Sequence, residues 1–303
     1  MVAVSLRVFT FYYITKGGTQ MQSIEKIGER FWYITPISET DRPILGMVVG
    51  DRKTLMIDAG NSESHANYFT GELSKKGVPH PDLVVLTHWH WDHIFGLSAL
   101  SHTVSISHKE TKEAMEKLIP YSWSDEALDE RVKAGTEIEF CATAIKKEFT
   151  EHRDIAITLP HVTFENRLEI DLGGVNCIVQ HVGGIHASDA VIVYIKEEKI
   201  LFLGDCMYAD IFSEKVNYKV NETLQLLDQI ETYDAHTYVL SHHPRPLSKE
   251  EFNEEVTLLR TTAKFTELCN GDQQKIIEEF RLHVNRELTE DELETISYFV
   301  NGY

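Results

Sequence analysis

The amino-acid sequence predicts a mixed α/β (α+β) fold made of two similar βα halves packed face to face. Three observations carry this expectation. Short apolar, β-branched runs bounded by turn residues recur along the chain, as in strands buried on both faces. One order of elements occurs twice: strands, a helix, a strand, then histidines. Each cluster of chemistry-bearing side chains follows the end of such a run, where a rigid sheet can position a loop.

In the first half, F-W-Y-I-T-P-I (31–37), I-L-G-M-V-V-G (44–50) and K-T-L-M-I-D (53–58) read as successive strands. Ser62 to Lys76 reads as a helix closed by Gly77, and D-L-V-V-L-T (82–87) as a buried strand. From about Ser107 to Phe149 the pattern is helical and charged, broken at Pro120, with Ser124 or Asp125 as an N-cap. That stretch is too long for a simple connection and is expected to be a helical insertion or lid at about 108–150. Strands resume at 162–164, 168–172 and 175–182, with a turn at Gly173-Gly174, then at 190–195 and 199–205 around a hairpin at Glu197-Glu198. A helix over about 222–232 leads to T-Y-V-L-S-H-H (237–243). The remainder, 248–303, reads as a helical C-terminal extension packed on the same 21–247 domain, with an N-cap signal in T-E-D-E (289–292). Val2 to Thr15 is apolar with a single charge, Arg7. Residues 1–20 are expected to be an extension, either an added strand or the product of a start upstream of Met21.

Composition narrows the function. The 303 residues, 42% of them hydrophobic, can bury a substantial core. A formal charge of −19 argues against a nucleic-acid partner or an anionic membrane surface, both of which need clustered Lys and Arg. No apolar run reaches the ~18–20 residues of a membrane span. Cys141, Cys177, Cys206 and Cys269 are scattered without a C-x-x-C pair, which points to a reducing cytoplasm rather than a disulfide framework.

The most informative stretch is T-H-W-H-W-D-H-I-F-G (87–96). In extended chain, His88 and His90 point to one side and can share a metal ion. Asp92 and His93 sit where the chain turns and can address a second point nearby. Imidazole and carboxylate suit zinc, and also iron or manganese. Crowding four such groups together has no packing rationale, and one cation needs more ligands than the cluster can aim at it. His186 in a glycine turn, Asp205 at the tip of I-L-F-L-G-D and His242 in V-L-S-H-H-P are placed to complete the shells. Taken singly, a histidine at a strand end is more often a surface residue, and an aspartate after glycine a turn former. The cluster is what raises them.

The run H-W-H-W-D-H resembles the H-x-H-x-D-H signature of the metallo-β-lactamase superfamily, and the resemblance extends over about 31–244. L-M-I-D-A-G (55–60), L-E-I-D-L-G-G (168–174), G-I-H-A-S-D (184–189) and L-F-L-G-D (201–205) are similar to further family blocks, in order. The resemblance implies a four-layer αββα sandwich. It also implies two divalent metal ions, with zinc expected and iron or manganese as alternatives. His88, His90 and His186 would hold the first, Asp92, His93 and His242 the second, with Asp205 bridging and Asp58 supporting from behind. The family pattern has glycines flanking its last histidine, whereas this chain reads Ser241-His242-His243-Pro244, so either His242 or His243 could serve. The implied activity is hydrolysis of a small-molecule ester, thioester, lactone or lactam by a hydroxide held between two metals, with Asp92 as the catalytic proton carrier. The alternatives are an iron-dependent oxidoreductase of the same fold and a phosphodiesterase or nuclease. Trp89 and Trp91 are expected to pack the loop against the sheets, or else to wall an apolar substrate site. Tyr208 is expected to lean over the metals, and Cys206 to be core.

Overall fold

A computed structural model of the chain describes residues 22–150 and 153–303. The expectation for residues 1–20 lies outside the described residues.

Strands β1 (Ile24–Ile27), β2 (Phe31–Ile34), β3 (Gly46–Val49), β4 (Thr54–Ile57), β5 (Leu83–Val85), β6 (Val104–His108) and β7 (Val162–Phe164) form one sheet in that spatial order. Strands β8 (Arg167–Asp171), β9 (Asn176–His181), β10 (Val191–Ile195), β11 (Ile200–Gly204), β12 (Thr237–Leu240) and β13 (Leu247–Ser248) form the second, also in sequence order. Helix α1 (Glu63–Lys75) crosses over between the parallel pair β4 and β5, and α6 (Val220–Ile230) between the parallel pair β11 and β12. The short α2 (Trp91–Ile94) follows β5.

Period-two alternation explains why the strands read as unbroken apolar runs. Val48, Leu55, Ile57 and Val85 meet Val179, Val193, Phe202 and Val239 in the layer between the sheets. Their neighbours Met47, Met56, Val84 and Leu86 turn outward onto Phe69 and Leu73 of α1 and onto the insertion. On the other side Ile192, Leu201, Leu203 and Tyr238 pack against α6 and against Phe252 and Leu259 of α7 (Lys249–Leu268). The result is the expected αββα sandwich.

The insertion is helical, as read from the sequence: α3 (Lys109–Leu118), α4 (Asp125–Ala134) and α5 (Glu139–Glu148). The Ser124 hydroxyl caps α4 by accepting the Ala127 amide. After α7 come α8 (Gln273–Val284) and α9 (Glu290–Asn301), and Thr289 and Glu292 close a capping box at the start of α9. No helix among the described residues is long and apolar enough to cross a membrane.

Strands β1, β6 and β13 were not anticipated. In β6, Ser105 and Ser107 are buried yet polar, because Ser105 pairs with His161 and Ser107 donates to the His108 carbonyl. The apolar signal is lost while the strand survives. β1 is an edge strand carrying Glu25 and Lys26, which blunt its exposed face.

Candidate metal centre

The site residues stand in the loops and short helix that follow strand ends. After β5 the chain bends at Thr87 and Trp89, is extended at His90 and then turns into α2, which carries Asp92 and His93. Gly96 makes this turn possible, since a Cβ there would lie 2.1 Å from the Ala59 carbonyl oxygen. The Val191 amide donates to the Thr87 carbonyl at 2.9 Å and ties the loop to the other sheet. Asp205 follows β11 through Gly204, whose φ of 57° and close packing on Thr87 favour glycine.

The structure brings all seven predicted side chains together. His88, His90 and His186 form one group and Asp92, His93, Asp205 and His242 a second, with the ligand atoms of each group within 4.8 Å of one another. His186 Nε2 lies 3.1 Å from His90 Nδ1. Asp92 Oδ2 lies 3.0 Å from His93 Nε2 and 3.1 Å from His242 Nε2. Asp205 Oδ2 stands between the groups, 3.9 Å from His88 Nε2, 3.6 Å from His186 Nε2, 3.3 Å from His93 Nε2 and 3.1 Å from His242 Nε2. His243 points away, with Nδ1 against the Arg245 carbonyl, so the geometry selects His242.

Four imidazoles are aimed by a contact to the nitrogen that faces away from the centre. His88 Nδ1 meets Thr87 Oγ1 at 3.1 Å and His93 Nδ1 meets Asp58 Oδ2 at 2.8 Å. His186 Nδ1 donates to the Ala209 carbonyl at 3.1 Å, and His242 Nδ1 lies 3.4 Å from Asp41 Oδ1. Asp58 is fully buried with φ of 61° and also accepts the Thr87 amide at 2.6 Å and hydroxyl at 2.9 Å. Such strain persists where the surroundings over-determine it.

The donor set fits divalent cations. His88 Nε2, His93 Nε2, Asp92 Oδ2 and Asp205 Oδ1 are buried without a hydrogen-bond partner, a costly arrangement that coordination would relieve. Electrostatics separates the two groups. Burial, then the other imidazoles, holds His88 well below the ordinary histidine value and pushes His90 down to about 3. Burial also lowers His93 and His242, but the carboxylates of Asp92, Asp58, Asp205 and Asp41 outweigh it and raise both well above that value. Burial favours protonated Asp205, yet the adjoining His242 and His93 hold it well below the usual carboxylate range.

Asp41 was missed by the sequence reading. It sits after a one-turn helix at φ 54°, and burial together with Asp92 pushes its carboxyl up to about 7. Nothing in the sequence marks it beyond its place before Arg42. Both tryptophans line the cavity: Trp91 is buried beside Phe95, and Trp89 is partly buried with its ring 6.5 Å from that of Phe212. The Tyr208 hydroxyl accepts the His242 amide at 3.3 Å, and Cys206 is core.

Above the ligands opens a cavity of about 250 Å³. Leu118, Tyr121, Trp123 and Phe140 of the insertion line it, together with Trp89 and Phe212. The insertion is anchored near the site: Arg42 forms a bidentate pair with Glu148 at 2.6 and 3.0 Å, and the Ser62 hydroxyl, which caps α1, donates to Glu148 at 2.5 Å.

Among solved structures, the chain is similar to a metallo-β-lactamase from Pontibacter korlensis at 19% identity and a TM-score of 0.56, covering 79% of this chain and 99% of that one. It is also similar to one from Erythrobacter litoralis with β-mercaptoethanol in its active site, at 16% identity and 0.52, covering 78% and 96%. The DIM-1 metallo-β-lactamase aligns at 18% and 0.53, covering 80% and 98%. At these identities the likeness speaks for the fold alone. No functionally curated protein matches the chain. The sequence profile of the metallo-β-lactamase superfamily matches residues 42–242, from beside Asp41 to the last histidine of the cluster. A match over more than half of its length settles the kinship: the chain belongs to the metallo-β-lactamase superfamily.

Proposed function

We propose that the protein is a metal-dependent hydrolase that cleaves a small ester, thioester, lactone or lactam. In this reading His88, His90 and His186 hold one divalent cation, Asp92, His93 and His242 hold a second, and Asp205 serves both. The observation that carries it is Asp205 Oδ2, which lies 3.1–3.9 Å from ring nitrogens of four histidines drawn from the two groups. Two divalent cations, zinc by ligand chemistry with iron or manganese as alternatives, supply Lewis acidity and a water acidic enough to ionise near neutral pH.

The chain's own residues do the rest. Thr87, Asp58, Ala209 and Asp41 engage the outer nitrogens, so the inner ones are presented as acceptors. Asp92 takes the proton released from the attacking water on a carboxylate oxygen and returns it to the leaving group. The aromatic walls exclude bulk water and bury the apolar part of the substrate. The substrate is a small molecule, and the free cysteines suit a reducing cytoplasm.

Elemental analysis of the purified protein, followed by a panel of ester, thioester, lactone and phosphodiester substrates, tests the reading. The expected result is two metals per chain and hydrolysis of a carboxylic derivative. His90→Ala should abolish turnover with an unchanged circular dichroism spectrum. One iron per chain with no hydrolysis of any panel member overturns the proposal.

A further inference from the structure

The cavity has a second polar feature besides the ligand cluster, and it is acidic. Glu137 lies in the turn between α4 and α5 and lines the cavity near Tyr121, Trp123 and Phe140. It is the one carboxylate of the described lining that stands apart from Asp41, Asp92 and Asp205. The side chain is half-buried. Oε1 accepts the Ile138 amide at 3.0 Å, which leaves Oε2 for an incoming group.

Arg131 is close enough for its charge to act on Glu137 but does not pair with it. Its guanidinium lies over the rings of Tyr121 and Trp123, 5.0 and 4.9 Å from their centroids, and donates to the Ser122 carbonyl at 2.8 Å. A half-buried carboxylate loses hydration that a cation at Oε2 would replace. The rings beside it, whose faces already carry Arg131, add apolar area that attracts a hydrocarbon body.

We propose that Glu137 makes the cavity selective for substrates whose apolar body carries a cationic nitrogen, such as an alkylammonium or aminoalkyl ester, thioester or lactone. The substrate class rests on the hydrolase reading, whereas the recognition stands on binding alone.

Three phenylalkyl ligands test it on the metal-loaded protein, two of them isosteric and ending in trimethylammonium and in tert-butyl, the third ending in carboxylate. Binding is read from the fluorescence of Trp89 and Trp123, and hydrolysis from the matching esters. The ammonium ligand is expected to bind on the order of tenfold tighter than the tert-butyl one, and the carboxylate weakest. In Glu137→Gln the ammonium and tert-butyl ligands should bind alike. Equal binding of the two by the wild type overturns the proposal without any need for the variant, as does a preference that survives Glu137→Gln. If the ammonium ester binds selectively but no ester is cleaved, the hydrolase reading fails and the recognition stands. Cleavage of the neutral ester with no ammonium preference gives the reverse.

Discussion

His88 and His93, from the N-terminal half, are backed by side chains: the Thr87 hydroxyl, and the Asp58 carboxylate that Thr87 itself contacts twice. In the C-terminal half His186 is backed by the Ala209 carbonyl and Asp205 is carried directly on the end of β11, while His242 borrows the Asp41 side chain of the N-terminal half. The contrast extends outward. Behind the N-terminal ligands lies a polar network in which Arg42 joins Glu148 and Gln22, and Gln22 meets His65 at 3.2 Å. Behind the C-terminal ligands lies an apolar layer of strand and helix side chains. Backbone-held ligands are fixed once the sheet forms, whereas ligands held by side chains depend on buried groups that must stay paired. The N-terminal half is therefore where substitution and pH should act most strongly.

Asp58→Ala is the sharpest way to break this contrast. It strands His93 and two donors of Thr87, and we expect a loss of about 3–5 kcal/mol in denaturant unfolding, with metal affinity about 10–100-fold weaker. A change within error in both measurements would remove the reason for distinguishing the halves. Next is Glu148→Gln, which leaves the Arg42 guanidinium and Ser62 short of an ionised acceptor, at about 1.5–3 kcal/mol. Burial raises the Glu148 carboxyl, but the bonds from Arg42 and Ser62 outweigh it, and its pKa falls below the ordinary value. Its contribution is thus full above about pH 4.5 and lost as pH falls through the depressed folded value, so the variant should lose less stability than the wild type on acidification below that point.

His65 works at milder pH. Burial, then the charge of Arg42, holds it well below 6.5, so it stays neutral when folded. Below pH 6.5 the unfolded chain binds a proton that the folded chain refuses, and stability should fall by up to about 1.4 kcal/mol per pH unit from this group. His65→Gln should flatten that slope in unfolding curves taken between pH 5 and 6.5. The smallest effect belongs to the C-terminal half. Tyr208→Phe removes one acceptor of the His242 amide and should cost about 0.5–1.5 kcal/mol. A loss matching that of Asp58→Ala would reverse the ranking of the halves.

How far the site could be read in advance follows the same divide. The seven clustered side chains are visible in the sequence because His88, His90, Asp92 and His93 crowd together after one apolar strand, Asp205 and His242 follow others, and the cluster then raises His186 in its glycine turn. The two packed βα halves are visible because alternate residues of those strands serve two interfaces and leave the runs unbroken, whereas the αββα layering comes from the family resemblance. Asp41 is not visible: its role comes from a left-handed turn that only tertiary packing sets. The choice of His242 over His243 depends on where the chain turns after β12, which adjacent histidines cannot reveal. β6 escaped notice because its buried serines are satisfied, Ser105 by the distant His161 and Ser107 by the His108 carbonyl, which the sequence pattern does not reveal. The cavity wall escaped for a related reason. The helices were evident from charge and capping, but which of their aromatic residues face the ligands depends on how the insertion docks.

That docking has a practical consequence. Glu148 closes the insertion onto Arg42, the neighbour of the aspartate that backs His242. Anyone exchanging helices α3–α5 to retarget this scaffold would thus also be adjusting the grip on its last histidine, and a graft that keeps an acidic side chain at position 148 keeps the two concerns separate.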